Sequence, residues 1–189
     1  MRPHRLILAA IAWLALLAFA ACAPVQRVPA PAQVLPELRL SPESLGRPLA
    51  LQQRLEIRHG DHAEALDALL EATPQDVQLL VMAMGRTGVR LRWDGHVLEQ
   101  RRAEWLPAAV RGERVLDDVQ FAFWPAAAIR ERLPAGWTLA EDAGRRVLSH
   151  ADREWLVLER VEGERRMRLH NLAEGYALEI SSMPLDEAP

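Results

Sequence analysis

Lysine is missing altogether from this 189-residue chain, and cysteine occurs once, as Cys22. A single cysteine excludes any disulfide within the chain, so the fold must be held by packing and hydrogen bonds. All 23 basic residues are arginine. Arginine favours bidentate anion contacts, but the accompanying abundance of Ala and Leu reads more plainly as composition bias. The charges are scattered and form no basic stripe, which argues against nucleic acid as a partner. No glycine-rich phosphate loop follows a strand and no nucleophile elbow is present, so no cofactor is implied. The apolar run Leu6 to Ala21 is shorter than the roughly 20 residues that a membrane span needs.

What is present begins at that run. Arg2 and Arg5 precede it, and the small residues Ala20 and Ala21 lead into Cys22; this is the layout of an export signal. Phe19-Ala20-Ala21-Cys22 resembles a lipobox, with Phe19 where leucine is usual, and the resemblance implies lipidation at Cys22. The alternative is an ordinary cleaved signal beside an incidental cysteine. In lipoprotein sorting an Asp after the cysteine favours the inner membrane. Ala23 stands there, so the implied address is the outer membrane, with the domain facing the periplasm. Acyl chains gain about 0.8 kcal/mol per buried methylene, so membrane lipid would be the first partner. Signal removal takes Arg2 and Arg5 and no acid, leaving 21 basic and 26 acidic residues.

Pro24, Pro29, Pro31, Pro36, Pro42 and Pro48 crowd the next stretch. Proline at this density disfavours helix and central strand and predicts an extended tether. The expected organisation is a signal over 1–21, a lipidated cysteine and tether over 22–48, and one domain over 49–189.

That domain reads mainly as antiparallel strands. Leu49, Leu51, Leu55 and Ile57 alternate with Gln52, Arg54, Glu56 and Arg58. Gly60-Asp61 predicts a hairpin turn, and Asp94-Gly95 a second. Val77 to Met84 is nearly all apolar and suits a strand covered on both faces. Trp155 to Val161, Arg166 to Leu172 and Tyr176 to Met183 form a further meander. His62 to Ala72 is ambiguous: its Ala, Leu and Glu content favours helix, the preceding turn favours a returning strand, and strand is adopted. In the middle, Leu116, Val119 and Phe123 recur at helical spacing, and Pro125 suits the start of a second helix over Ala126 to Leu133.

Four phrases carry a family resemblance: Leu49 to Ile57 (LALQQRLEI), Met84 to Leu91 (MGRTGVRL), Phe123 to Ala126 (FWPA) and Leu133 to Gly136 (LPAG). Together they resemble short Gram-negative lipoproteins of unassigned function found beside aryl-polyene and fatty-acid-like biosynthetic clusters. More distantly the order of elements is similar to the lipoprotein receptor LolB and its periplasmic carrier LolA. The resemblance implies an incomplete antiparallel β-barrel with one or two central helices covering the concave face, over an apolar cavity. It also implies binding or traffic of an acyl-chain or polyene lipid, or of a lipoprotein, with a LolA-like carrier or an exported lipid as partner. Val81 and Met84 are then expected on the cavity wall, and Phe121, Phe123, Trp124 and Ile129 on the lid. The plainer reading is that all six fill the domain's own core. The receptor carries a membrane-inserting leucine on a loop between early strands. Arg86, Thr87 and Gly88 are expected in that loop, with Thr87 in the leucine's place.

Two other readings stay open. A non-catalytic accessory or scaffold lipoprotein would have no ligand cavity. A hydrolase or metalloprotein would rest on His59-Gly60-Asp61-His62 with His150 and Asp152. That spacing fits no standard zinc pattern, the turn already explains these residues, and a lipidated cysteine cannot act as a nucleophile. No catalytic or metal-ligating residue is therefore assigned.

Overall fold

The computed structural model describes residues 34–106 and 110–187. The expected signal, Cys22 and the first part of the tether lie outside the described residues. Ten strands form one antiparallel sheet: β1 (Leu49–His59), β2 (His62–Ala72), β3 (Val77–Ala83), β4 (Arg86–Trp93), β5 (Leu98–Arg102), β6 (Trp137–Asp142), β7 (Arg145–His150), β8 (Arg153–Arg160), β9 (Arg166–Asn171) and β10 (Tyr176–Pro184). Their order in space is β5-β4-β3-β2-β1-β10-β9-β8-β7-β6. Two meanders of five strands are thus joined where β1 pairs with β10 (Leu55 opposite Ile180), while β5 and β6 remain separate edges. The barrel is unclosed, as expected. Two helices, α1 (Gly112–Phe123) and α2 (Ala126–Arg132), are inserted between the meanders.

The period-two pattern decides which face is buried. In β1, Leu49, Leu51 and Gln53 are buried while Ala50, Gln52 and Arg54 are exposed. His62–Ala72 is a strand despite its helical composition. It pairs along its whole length with β1, and eleven cross-strand partners outweigh a local preference of a few tenths of a kcal/mol per residue. The two-residue Gly60-Asp61 turn joins them, with Gly60 at φ 58°. β3 is not covered on both faces; it alternates and ends at Ala83. The turn after β4 spans four residues, because Asp94 Oδ1 accepts the N–H groups of His96 (2.8 Å) and Val97 (2.7 Å) and Leu98 starts the return strand. β6 and β7, which the alternation did not announce, are joined at Ala143-Gly144.

The domain starts earlier than expected. Leu35, Leu38, Leu40 and Leu45 are buried in the core, so the stretch from Leu35 to Pro48 is a strap and not a free tether. Its N–H groups at Leu38 and Leu40 donate to Asp117 Oδ1 and Gln120 Oε1 of α1, each at 3.0 Å. In return Trp93 Nε1 donates to Leu40 O at 2.7 Å, and Trp124 Nε1 to Ser41 O at 3.1 Å. Proline excluded regular ladders here, and side chains of α1 satisfy the backbone in their place. No helix among the described residues is long and apolar enough to cross a membrane.

Candidate functional site

The sheet's inner face is filled unevenly. Over β6–β9, Trp124, Leu139, Leu148, Leu156, Leu158 and Met167 pack against one another in the core. Between β1–β4, β9–β10 and α1 lies instead a pocket of ≈ 720 Å³, within the range of about 300–1,000 Å³ typical of ligand cavities. Cross-strand rows build its wall. Leu66, Leu55 and Ile180 form one; Ile57, Leu178 and Leu169 form the next. Toward the β1–β2 turn the row becomes polar, with His62, His59 and Tyr176 side by side.

Helix α1 is the opposite wall and carries the same gradient. Arg114 and Asp118 lie four residues apart on one stripe, continued to Arg111 just before the helix. Val115, Val119, Ala122 and Phe123 form the adjacent stripe. Arg114 is 7% exposed. Its Nε donates to Asp118 Oδ1 at 3.1 Å, whereas its Nη2 stands 3.9 Å from Asp117 Oδ2, too far for a hydrogen bond. Tyr176 donates its hydroxyl proton to Asp118 Oδ2. At the rim Arg111 pairs with Glu174 at 2.8 Å.

Burial pushes the Asp118 carboxyl up to about 6, against the pull of the Arg114 guanidinium and the Tyr176 hydroxyl. Burial likewise raises Asp117, although Arg114 and the Leu38 N–H oppose it. The Tyr176 phenol is raised by burial and by the adjacent carboxylate. For Arg114 burial works against the charge, but Asp118 and Asp117 outweigh it and hold the guanidinium more firmly protonated.

The expected site residues separate. Val81 and Phe123 lie on the pocket wall. Phe121, Trp124 and Ile129 do not; they are fully buried in the core, where Trp124 holds the strap. Met84 is no wall residue: it is 87% exposed in the β3–β4 turn, at φ 48° and followed by Gly85 at φ 73°. Arg86, Thr87 and Gly88 are correspondingly not a loop but the first residues of β4. The turn falls at Met84-Gly85, before the expected loop, because the apolarity of Met84 carries the strand pattern past the end of β3. His59 and His62 face each other across the β1–β2 turn, whereas His150 lies against Trp137 with ring centroids 5.0 Å apart and planes tilted by 39°. Among the described residues, no three His, Cys, Asp or Glu side chains converge as a metal-holding group.

Arg114, Asp118 and Tyr176 escaped the sequence reading. An Arg and an Asp four apart on a helix ordinarily mark a solvated face. Here that stripe turns inward because the pocket, not solvent, lies opposite.

An open antiparallel sheet with inserted helices and an apolar pocket on its inner face defines the class. The chain belongs to the family described as Protein of unknown function (DUF3261), which matches residues 50–184. No curated protein matches. Among solved structures, the chain is similar to a DUF1329 family protein from Desulfovibrio piger ATCC 29098. Identity is 12%, covering 77% of this chain and 88% of that one, with a TM-score of 0.39.

Proposed function

We propose that this chain is an outer-membrane lipoprotein that binds, or helps to traffic, a lipid bearing an acyl or polyene chain in the periplasm. The observation that carries the reading is the pocket of ≈ 720 Å³ between the sheet and α1, whose sheet wall is largely aliphatic. A hydrocarbon chain entering it leaves water, which is favourable by about 25 cal/mol per Å² of apolar surface. Valine, leucine and isoleucine side chains impose no directional demand, so the wall sets no hydrogen-bonding requirement on the chain it receives. The partner in this reading is the exported lipid or a LolA-like carrier that delivers it, and Cys22 holds the protein at the membrane. Met84 supports a membrane approach. It is the exposed apolar side chain at the tip of an early hairpin, the place the LolB resemblance gives to an inserting leucine.

The test is lipid extraction and mass spectrometry on the purified full chain, run beside a Val119→Trp variant that obstructs the pocket along α1. A lipid that copurifies stoichiometrically with the wild type and is lost from the variant is the expected result. Equal recovery from both, or none from either, overturns the proposal. Metabolic labelling with palmitate, abolished by Cys22→Ser, is the expected result for the anchor.

A further inference from the structure

The pocket has a polar end, and its chemistry is selective. A guanidinium offers five N–H donors in a planar fork. Arg114 uses its Nε on Asp118, and among the described residues its four Nη hydrogens have no hydrogen-bond partner. Yet the side chain is more than nine-tenths buried and lines the pocket. Donors that open into a cavity and have no protein partner are where the oxygens of a ligand can bind.

We infer that Arg114 receives the anionic head, a carboxylate or a phosphate, of the amphiphile whose chain lies along the apolar stripe of α1. This rests on the reading of the pocket as a lipid site. Two parallel N–H groups match two oxygens of either anion. Asp118 and Tyr176 hold the fork in place: Asp118 takes Nε, which leaves the Nη groups of this pocket-lining residue unpaired among the described residues, and Tyr176 fixes Asp118. From Arg114 to Phe123 the helix rises about 13 Å, and along it the wall changes from Arg114 and Asp118 to Val119, Ala122 and Phe123. The head therefore sits at the first turns of α1 and the chain runs toward its C-terminal end.

The experiment compares palmitate, hexadecyl phosphate and hexadecanol, three ligands with one chain and different heads. Each is equilibrated with the full chain, with Arg114→Gln and with Val119→Trp, and the amount retained per protein is measured. In the wild type both anions are retained at least tenfold better than the alcohol, and in Arg114→Gln that preference collapses. Arg114→Lys, which keeps the charge and loses the fork, retains part of it and serves in its place if the glutamine variant does not fold. A preference for one anion alone identifies the head as carboxylate or phosphate. If the alcohol matches the anions in the wild type, or if both Arg114 variants keep the full preference, the inference is overturned while the lipid-site reading stands. If no ligand is retained above the Val119→Trp level, the lipid-site reading itself fails.

Discussion

Two arginines stand near opposite ends of α1 and are buried to a similar degree, Arg114 at 7% exposed and Arg146 at 3%. Arg146, on β7, makes five hydrogen bonds: its Nη1 donates to Phe121 O and Trp124 O, and its Nε and Nη2 embrace the Glu141 carboxylate. It closes the C-terminal end of α1, where carbonyls lack intrahelical partners, and Arg160 adds a bond to Ala122 O. Arg114 makes one hydrogen bond among the described residues and faces a cavity. The same residue type, equally dry, is a structural clasp in one place and an open donor in the other. Burial alone therefore does not identify a binding group; the balance of filled and unfilled donors does.

The largest effect expected from breaking this contrast is at the clasp. Arg146→Leu strips the buried carbonyls of Phe121 and Trp124 of their donor at once and leaves Glu141 to Arg160 alone, and each buried polar group left unpaired costs about 1–3 kcal/mol. A urea titration should show the midpoint falling accordingly.

The open end should reveal itself through pH. The folded protein keeps the Asp118 proton up to about 6, whereas an unfolded chain releases it near pH 3.9, as model peptides do. Between these values the folded state binds more protons, so this group's contribution to stability falls as pH rises through the window and is level above it. At about 1.4 kcal/mol per unit the loss is up to roughly 3 kcal/mol. Asp118→Asn should remove this slope, and the difference between the two stability–pH curves from pH 4 to 6.5 measures it. A wild-type curve parallel to the variant's would mean that Asp118 is not held dry beside Arg114.

The strands were largely legible in the sequence, because a sheet with one buried face writes its period into β1 and β9. The start of the domain was not. Pro36, Pro42 and Pro48 announced a tether, and the physical fact they encode is narrower: this backbone cannot join a ladder. It says nothing of whether side chains such as Asp117 and Gln120 supply the missing partners. Met84 shows a related limit. Its apolarity extended a strand on paper, while Gly85 behind it was the signal that the chain turns there. For the pocket, the sequence supplied Val81 and Phe123 but not the polar end. Whether Arg114 and Asp118 face water or a cavity depends on what lies opposite them, and that is a property of the folded sheet.

The strap lies between the two extremes, since its donors are filled by a helix that also walls the pocket. Asp117→Ala leaves the Leu38 N–H buried without an acceptor, at a cost of about 1–3 kcal/mol, and frees α1 from one of its three hydrogen bonds to the strap. Hydrogen exchange should then rise at Leu38 and Leu40 before it rises in β1. If protection at both is unchanged, the strap is held without the Asp117 bond, by its buried leucines and its remaining bonds to Gln120, Trp93 and Trp124.

The smallest expected effect separates the two halves of the inner face. Tryptophan placed in a filled core forces neighbours off their rotamers and costs about 1–3 kcal/mol, and Leu156→Trp on β8 should behave so, since Leu156 is fully buried among packed side chains. Val119→Trp adds the same kind of volume at a wall that faces ≈ 720 Å³ of open space. There the larger side chain has room, covers apolar surface that the empty pocket leaves exposed, and should change stability by less than about 1 kcal/mol. Matched thermal melts of the two variants measure the contrast directly. Near-equal losses would mean that the pocket half is packed in solution as tightly as the other half; a silent Val119→Trp beside a damaged Leu156→Trp locates the space that a ligand chain would occupy.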